Sequence, residues 1–249
     1  MQFELAKLSL EGDRAENQDR VAVMSAESCA LIVAIDGMGG HAGGSAASAE
    51  AARCFSEAFR SATHPMLDPQ GFLIRTLEKA HSRIVALGES IPVDQRPRAT
   101  CAVCLVQDGR AYSAHVGDSR IYHLRNGRLI SRSRDHSHVE LLLQDGEISE
   151  EEVRTHPMRN YVESCLGGDV QIPDLAIAMP GQVQVGDVIV VCSDGLWSGL
   201  EDEDFLPLAA NGADLEQELR DLADMAVKAN APHSDNTSAA ILRFSGATP

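Results

Sequence analysis

Four aspartates of this chain stand where an apolar, strand-like stretch meets a glycine-containing turn or a polar stretch. They are Asp36, Asp118, Asp194 and Asp235. Carboxylates that converge at strand ends repel one another unless a cation lies among them. With oxygen ligands and without paired His or Cys, the expected cation is Mg²⁺ or Mn²⁺ rather than Zn²⁺. A lone Asp-Gly is an ordinary turn dipeptide, so only the group as a whole indicates a metal site.

Such a group of carboxylates predicts hydrolysis of phosphate esters. Two metal ions roughly 3.5–4 Å apart can share a bridging carboxylate and a bridging water. Both metals acidify that water, which then becomes a hydroxide nucleophile at neutral pH.

The elements that must position these aspartates follow an α+β order. Two dipeptides, Asp108-Gly109 and Asn126-Gly127, suit type I′ hairpin turns, which predicts an antiparallel meander over 99–130. Helices are predicted from apolar spacing, and strands from short apolar runs. The predicted helices are 43–60, 71–87 and 214–229, with two short pieces in 137–160, and the further strands are 21–24, 30–35, 188–192 and 237–244.

Composition predicts one intracellular domain, 1–249. The net charge of −16 argues against a nucleic-acid or anionic-membrane partner, because such partners call for a basic face. The first 13 residues lack the continuous apolar core of a signal peptide. Most of the six cysteines lie in apolar runs without metal-ligand spacing, which indicates reduced thiols in a cytoplasm.

Six short motifs in fixed order resemble the metal-dependent Ser/Thr protein phosphatases of the PP2C type, and most closely the compact bacterial members. The similarity runs from about residue 5 to residue 244. The motifs are Arg14-Ala15-Glu16-Asn17-Gln18-Asp19-Arg20, Asp36-Gly37-Met38-Gly39-Gly40-His41, Val116-Gly117-Asp118-Ser119-Arg120, Asp135-His136-Ser137, Ser193-Asp194-Gly195-Leu196 and Asp235-Asn236.

The resemblance implies a four-layer α-β-β-α sandwich of two antiparallel β-sheets flanked by helices. It also implies a ligand set for two metal ions. Asp36 would bridge the metals, the Gly37 carbonyl would bind one of them, and Asp194 and Asp235 would hold the other. Asp118 with Asp194 would form a third, weaker site. A metal-bridging hydroxide would attack phosphorus in line, without a phosphoenzyme.

The resemblance implies roles for further residues of the same motifs. Asp19 would act through metal-bound waters, and Arg14 would bind the substrate phosphate with its bidentate guanidinium. His41 and Asn236 are auxiliary positions, and for His41 packing or capping of the following helix is an equal alternative. Met38 stands where eukaryotic members carry the usual candidate acid, so the proton donor stays unassigned.

The resemblance also implies partners: phosphoserine and phosphothreonine proteins and a cognate Ser/Thr kinase, with the phosphatase acting as a monomer. Residues 135–160 resemble a flap beside the active site, where substrate selection and a plain surface excursion are equally compatible with the sequence. His136 is expected to fix a loop rather than to take part in catalysis.

Three other functions are alternatives. A non-catalytic, phosphatase-like module that binds phosphoproteins would be expected to have lost a metal aspartate or Arg14. A cysteine phosphatase is disfavoured because its C-x5-R matches, Cys54 to Arg60 and Cys104 to Arg110, fall in a predicted helix and a predicted hairpin turn. A two-metal nuclease is disfavoured by the acidic charge.

Overall fold

The computed structural model of the protein describes residues 2–27, 29–39, 43–210, 212 and 214–246. In these ranges the strands are β1 Gln2–Leu10, β2 Arg20–Ala26, β3 Cys29–Ile35, β4 Gly37–Met38, β5 Arg98–Ala99, β6 Cys101–Gln107, β7 Arg110–Val116, β8 Arg120–Arg125, β9 Arg128–Arg132, β10 Leu166–Gly167, β11 Ala176–Ile177, β12 Gly181–Gln182, β13 Val188–Cys192 and β14 Thr237–Gly246. The α-helices are α1 Gly43–Ser61, α2 Pro69–Leu87, α3 His138–Gln144, α4 Glu150–Val153, α5 Asp194–Trp197 and α6 Leu215–Asn230, and 3-10 helices lie at Val93–Gln95 and Asp202–Ala209.

Two antiparallel sheets form the inner layers of the molecule. One has the strand order β1-β14-β13-β8-β9 and the other the order β11-β7-β6-β3-β2, while β10, β5 and β4 form a small third sheet. The facing sides of the two large sheets share one apolar cluster, which includes Ile32 and Ala34 from β3, Val191 from β13 and Leu242 from β14. This cluster is the core of a β-sandwich.

Helices cover both outer faces of this sandwich. Phe55 of α1 and Leu77 of α2 are fully buried in a cluster with Val33 of β3. On the other side, Leu219 of α6 packs in a cluster with Val190 of β13. The strand β3 is buried along its whole length because both of its faces are covered. The predicted four-layer α-β-β-α sandwich is confirmed.

The three long helices are confirmed to within two residues at each end. Asp68 caps α2, since its carboxylate accepts a hydrogen bond from the Gly71 N–H. Asp214, predicted as the first residue of the last helix, is instead its N-cap and accepts from the N–H groups of Glu216 and Gln217. Each cap satisfies backbone donors that the first helical turn leaves unpaired.

Both predicted hairpin turns are confirmed, but the prediction of one continuous meander is wrong. The turn residues Asp108, Gly109, Asn126 and Gly127 all have positive φ, as type I′ turns require. However, β6 and β7 belong to one sheet, whereas β8 and β9 belong to the other. Alternating apolar residues define two strand faces without defining the partner strand, so the sequence did not show this change of sheet. The crossing between β7 and β8 contains Asp118.

The segment 135–160, called the flap from here on, contains two short helices as predicted, α3 and α4. Ser137 caps α3 through a hydrogen bond from the Glu140 N–H. At the start of α4, Ser149 and Glu152 form a capping box, which satisfies backbone donors at this end.

The cysteine predictions agree with the structure. Cys101 packs in the cluster under the helices, whereas Cys104 faces the core between the sheets, so the C-x-x-C cannot hold one metal. All six cysteines are free thiols. Cys54 to Arg60 lies within α1, and Cys104 to Arg110 spans the turn between β6 and β7. Within the described ranges, no helix combines the length and the apolar character needed to cross a membrane.

Candidate metal centre

The four predicted aspartates lie at strand ends that come from both sheets. Asp36 lies between β3 and β4, Asp118 at the crossing between the sheets, Asp194 at the first position of α5, and Asp235 just before β14. Each carboxylate therefore belongs to a different connection, and the sandwich fixes their relative positions.

Two glycines allow these connections to approach closely. A Cβ on Gly37 would lie 2.1 Å from the Gly44 carbonyl oxygen, so the start of α1 packs directly on the segment that follows Asp36. A Cβ on Gly195 would lie 2.1 Å from the Asn236 carbonyl oxygen, so α5 packs on the segment that contains Asp235. Larger residues at either position would push candidate ligands apart.

The carboxylates are close enough to destabilise one another's charge. Burial raises the pKa of Asp36 well above its usual range, and repulsion by Asp19 and Asp194 adds to this. Burial likewise raises the pKa of Asp194 well above its usual range, with repulsion by Asp118 and Asp235. Both side chains retain some contact with solvent. A positive ion among these groups would remove the repulsion.

Two buried carboxylate oxygens have no hydrogen-bond partner. Asp19 Oδ2 accepts a hydrogen bond from Ser193 Oγ at 2.6 Å, but its Oδ1 is buried without a partner. Burial raises the pKa of Asp19 to about 6 although this hydrogen bond lowers it. Asp118 Oδ1 is also buried without a partner, and burial, with repulsion by Asp135, raises the pKa of Asp118 to about 7. Unpartnered buried oxygens are costly, and they suit a hard divalent cation.

The side chains are not already arranged as a closed ligand group. Among the described residues, no set of three or more His, Cys, Asp or Glu side chains is placed so that it could hold a metal ion as it stands. One reason is that Asp235 is engaged elsewhere, since Oδ2 accepts from Arg14 Nη2 at 2.6 Å and Oδ1 accepts from the Asn236 N–H. The donor chemistry fits Mn²⁺ or Mg²⁺, and as a ligand the Asp235 carboxylate would have to exchange Arg14 for the ion.

Arg14 lies beside these carboxylates, as the resemblance implied. Its side chain is 59% exposed and that of Asp235 is 37% exposed. The hydrogen bond from Arg14 to Asp235 raises the pKa of the guanidinium, and the charges of Asp194 and Asp36 act in the same direction. An exposed guanidinium next to a metal centre can bind the phosphate of an incoming substrate.

Asn236 connects the segment that carries Arg14 to the segment that carries Asp235. Its Oδ1 accepts from the Gln18 N–H at 2.8 Å, and its Nδ2 donates to the carbonyls of Glu11 and Glu16 at 2.8 and 3.0 Å. The side chain thus uses three hydrogen bonds to hold the loop 11–19 in place.

A cavity of about 430 Å³ opens beside the centre, lined by Asp118 and Asp194 on one side and by Arg154 and Arg159 of the flap on the other. A larger cleft of about 1140 Å³ lies around His136, on the opposite face of α3, and none of the candidate metal carboxylates lines it. The smaller cavity is therefore the one that the candidate centre and the flap share.

The two histidines of the motifs differ in what the structure describes. His41 lies outside the described residues. His136 accepts a hydrogen bond from the Gly117 N–H at 3.4 Å and stacks on His115 with ring centroids 4.8 Å apart. Burial and the neighbouring His115 lower the pKa of His136 to about 4, so its ring is neutral at pH 7. These contacts hold the crossing before Asp118, in agreement with the predicted loop-fixing role.

The sequence pattern did not predict the residues whose hydrogen bonds support the aspartates or their neighbours. Ser193 donates to Asp19 across 174 residues of sequence, and Trp197 Nε1 donates to the Asp118 carbonyl across 79 residues. Thr100 Oγ1 contacts Ser119 Oγ at 2.6 Å. Ser193 and Ser119 had a sequence signal, because each stands next to a predicted aspartate, whereas contacts over such separations depend on the fold.

Comparisons with known proteins identify a family. The sequence profile of protein phosphatase 2C matches residues 9–233. The serine/threonine phosphatase Stp of Listeria monocytogenes is 32% identical over 188 residues, which cover 74% of this chain and 73% of that protein.

Two solved structures share the fold. The serine/threonine phosphatase of S. agalactiae superposes with a TM-score of 0.85 at 28% identity, covering 98% of this chain and 100% of that chain. The catalytic domain of the phosphatase PstP, in complex with two manganese ions, superposes with a TM-score of 0.82 at 27% identity, covering 98% and 99%.

Proposed function

This chain belongs to the protein phosphatase 2C family, and from that premise we propose that its aspartates bind divalent metal ions for the hydrolysis of phosphoserine and phosphothreonine in proteins. The chain is a metal-dependent protein serine/threonine phosphatase; two of its relatives are named serine/threonine phosphatases, and the PstP catalytic domain was solved with two manganese ions. The non-catalytic binding module is not favoured.

The unsatisfied charge of the candidate centre carries this proposal. Burial and mutual repulsion raise the pKa of Asp36 and Asp194, while Asp19 and Asp118 each keep one buried oxygen without a partner. Buried carboxylates that repel one another destabilise the folded protein, so a bound ligand must compensate for their charge. Hard cations supply that compensation, and they also reduce the repulsion of a phosphate dianion by this acidic protein.

We assign the ligand roles as follows. Asp36 and the Gly37 carbonyl, with Asp194 and Asp235, hold two ions, while Asp118 shares a third, weaker site with Asp194. Asp19 acts through water from the buried side of the centre. When bound, these ions acidify water and neutralise phosphate charge.

The chain's own residues orient the substrate. Arg14 exchanges its ion pair with Asp235 for two hydrogen bonds to the phosphate, and Asn236 holds the loop that carries it. The cavity between Asp118, Asp194 and the flap receives the segment of substrate next to the phosphorylated residue.

The cellular setting is also part of the proposal. The enzyme uses Mn²⁺ or Mg²⁺, reverses a cognate Ser/Thr kinase in signalling, and works as a cytoplasmic monomer without nucleic acid or membrane. The six free thiols suit a reducing compartment. The net charge of −16 supports the exclusion of nucleic acid.

The test is to strip the purified protein of metal, restore Mn²⁺, and measure phosphate release from a phosphothreonine peptide. Wild type is expected to regain turnover, while Asp194→Ala loses at least about 100-fold in kcat because the metal ions that stabilise the reaction lose a ligand. Asp224→Asn, a change of an exposed acid on α6, is the matched control and should retain wild-type rates.

Absence of Mn²⁺-dependent turnover in the wild type, combined with retained phosphopeptide binding, would replace this proposal with the binding module. Inhibition by a thiol-alkylating reagent equal to that by a chelator would support cysteine chemistry instead.

A further inference from the structure

The four-residue helix α5 connects two candidate ligands. Its first residue is Asp194, and its last residue, Trp197, donates a hydrogen bond from Nε1 to the main-chain carbonyl of Asp118 at 3.0 Å. Asp194 and Asp118 come from different connections of the chain. The indole is thus a direct link between the backbone positions of the two carboxylates.

Arg120 holds this indole in place. Its guanidinium carbon lies 3.4 Å from the centre of the Trp197 ring, which is a cation–π contact. The same guanidinium donates two hydrogen bonds to Asp135, at 2.9 and 2.7 Å. The side chains of Arg120 and Asp135 are 14% and 8% exposed, so solvent screens this pair weakly.

The link fixes the backbone of Asp118 and leaves its carboxylate available. Asp118 is 6% exposed, and its Oδ1 has no hydrogen-bond partner. Two buried carboxylates that repel each other would move their segments apart unless something held those segments together. The hydrogen bond from Trp197 opposes that movement without using either carboxylate.

We infer that Trp197 and Arg120 are positioning residues, which hold Asp118 at the distance from Asp194 that allows both carboxylates to share one divalent cation. The inference rests on the proposed function for the identity of the cation. It adds two residues that are not metal ligands, and it ties the base of the flap, through Asp135, to the metal centre.

The competing explanation is packing alone. Trp197 also packs against the apolar cluster between α6 and its sheet, and so does Leu206. If packing were the whole role of Trp197, loss of its N–H would lower the melting temperature less than truncation of Leu206 would. Neither change would alter metal binding.

The test compares Trp197→Phe with Leu206→Ala by calorimetric titration of Mn²⁺ into metal-stripped protein. Phenylalanine keeps an aromatic ring under Arg120 but lacks the indole donor. The weakest Mn²⁺ binding step should weaken about three- to tenfold in Trp197→Phe, the value expected for the loss of one buried hydrogen bond, while the tighter steps stay unchanged. Leu206→Ala should lower the melting temperature and leave every binding step as in wild type.

Arg120→Lys is the second variant, because lysine keeps the charge but loses both the fork to Asp135 and the planar stacking. It should weaken the same binding step, and the KM for a phosphopeptide should change less than the Mn²⁺ concentration at half-maximal rate. Wild-type binding at every step in both variants would overturn the inference. Wild-type protein that binds Mn²⁺ but releases no phosphate would overturn the proposed function alone, since the calorimetric comparison does not need turnover.

Discussion

Arg14 forms an ion pair with Asp235 at 2.6 Å. The pair joins a candidate substrate-binding residue to a candidate metal ligand. Because both side chains are substantially exposed, the pair contributes little to folding stability. The pair is important because the Asp235 carboxylate can exchange Arg14 for another cation. Under the proposed function, a metal ion would replace Arg14 on Asp235, and the released guanidinium would be free to bind phosphate.

Arg14→Ala is expected to lower kcat/KM for a phosphopeptide about 100-fold, because it removes charge-assisted hydrogen bonds to the phosphate. Arg14→Lys should recover part of this loss, since lysine keeps the charge without the planar fork. Steady-state kinetics at saturating Mn²⁺ measure both. Arg53→Ala, which removes an exposed arginine on α1, is the control, and an Arg14→Ala enzyme with wild-type KM and kcat would contradict the assignment.

For single residues, the sequence predicted the candidate metal ligands but not the residues that hold them in place. Asp36, Asp118, Asp194 and Asp235 were recognisable because each stands where an apolar run meets a turn or a polar stretch. Trp197 could not be recognised, because its hydrogen bond to Asp118 depends on how the two sheets pack.

An exposed ion pair joins the α4 end of the flap to the body of the protein. Arg154 of the flap makes a bidentate pair with Glu201 at the start of the 3-10 helix 202–209. Both side chains are more than half exposed. Exposed pairs of this kind are screened by salt and contribute less than about 1 kcal/mol. The α3–α4 segment should therefore open more readily than the sandwich.

Glu201→Gln should speed amide hydrogen exchange in α4 roughly two- to fivefold while leaving the free energy of global unfolding within about 1 kcal/mol of wild type. The pair contributes to local closure and not to the core. Hydrogen exchange measured by mass spectrometry, with Glu203→Gln as the control on the same 3-10 helix, tests this. Equal exchange rates in all three proteins would show that other contacts hold the flap.

Helices were predictable at the scale of elements, and sheet membership was not. The 3.6-residue spacing of apolar side chains places α1, α2 and α6 within two residues of their observed ends. By contrast, β1 was not anticipated, because Glu4 and Lys7 interrupt its apolar pattern. It forms through register with β14, more than 200 residues away, and a single strand carries no record of such a partner.

For the whole molecule, the carboxylate centre makes both folding stability and metal binding depend on pH. Asp19 and Asp118 have a pKa of about 6 and about 7 in the folded protein, above their ordinary value of 3.8. Between pH 4 and pH 7 the folded state therefore binds more protons at these groups than the unfolded state does. Their contribution to stability is present at low pH and is lost as pH rises through this range. Metal binding, which needs the ionised forms, strengthens over the same range.

The increase in melting temperature caused by Mn²⁺ should therefore grow by about 5 °C or more between pH 5 and pH 7.5. The comparison of Mn²⁺ with EDTA at each pH is needed because the lowered pKa of the partly buried His136 acts in the opposite direction below about pH 6.5. That histidine contributes equally with and without metal, so it cancels. A Mn²⁺ effect that shrinks with rising pH would contradict the proposed ligands.

The whole fold was predicted through the resemblance of six ordered motifs to the protein phosphatase 2C family. Composition and periodicity alone gave only an α+β pattern. They could not show that the chain changes sheets at Asp118, since both hairpins satisfy the same local turn rules.

The pairing of β1 with β14 has a consequence for synthesis. During synthesis, Arg14 and Asp19 leave the ribosome early. Asp235 and β14, the strand that pairs with β1, leave it more than 200 residues later. Until then the loop 11–19 lacks the hydrogen bonds that Asn236 makes to it. If Asp235 is a metal ligand, as proposed, we expect phosphate removal to start only when these two distant segments of the chain meet.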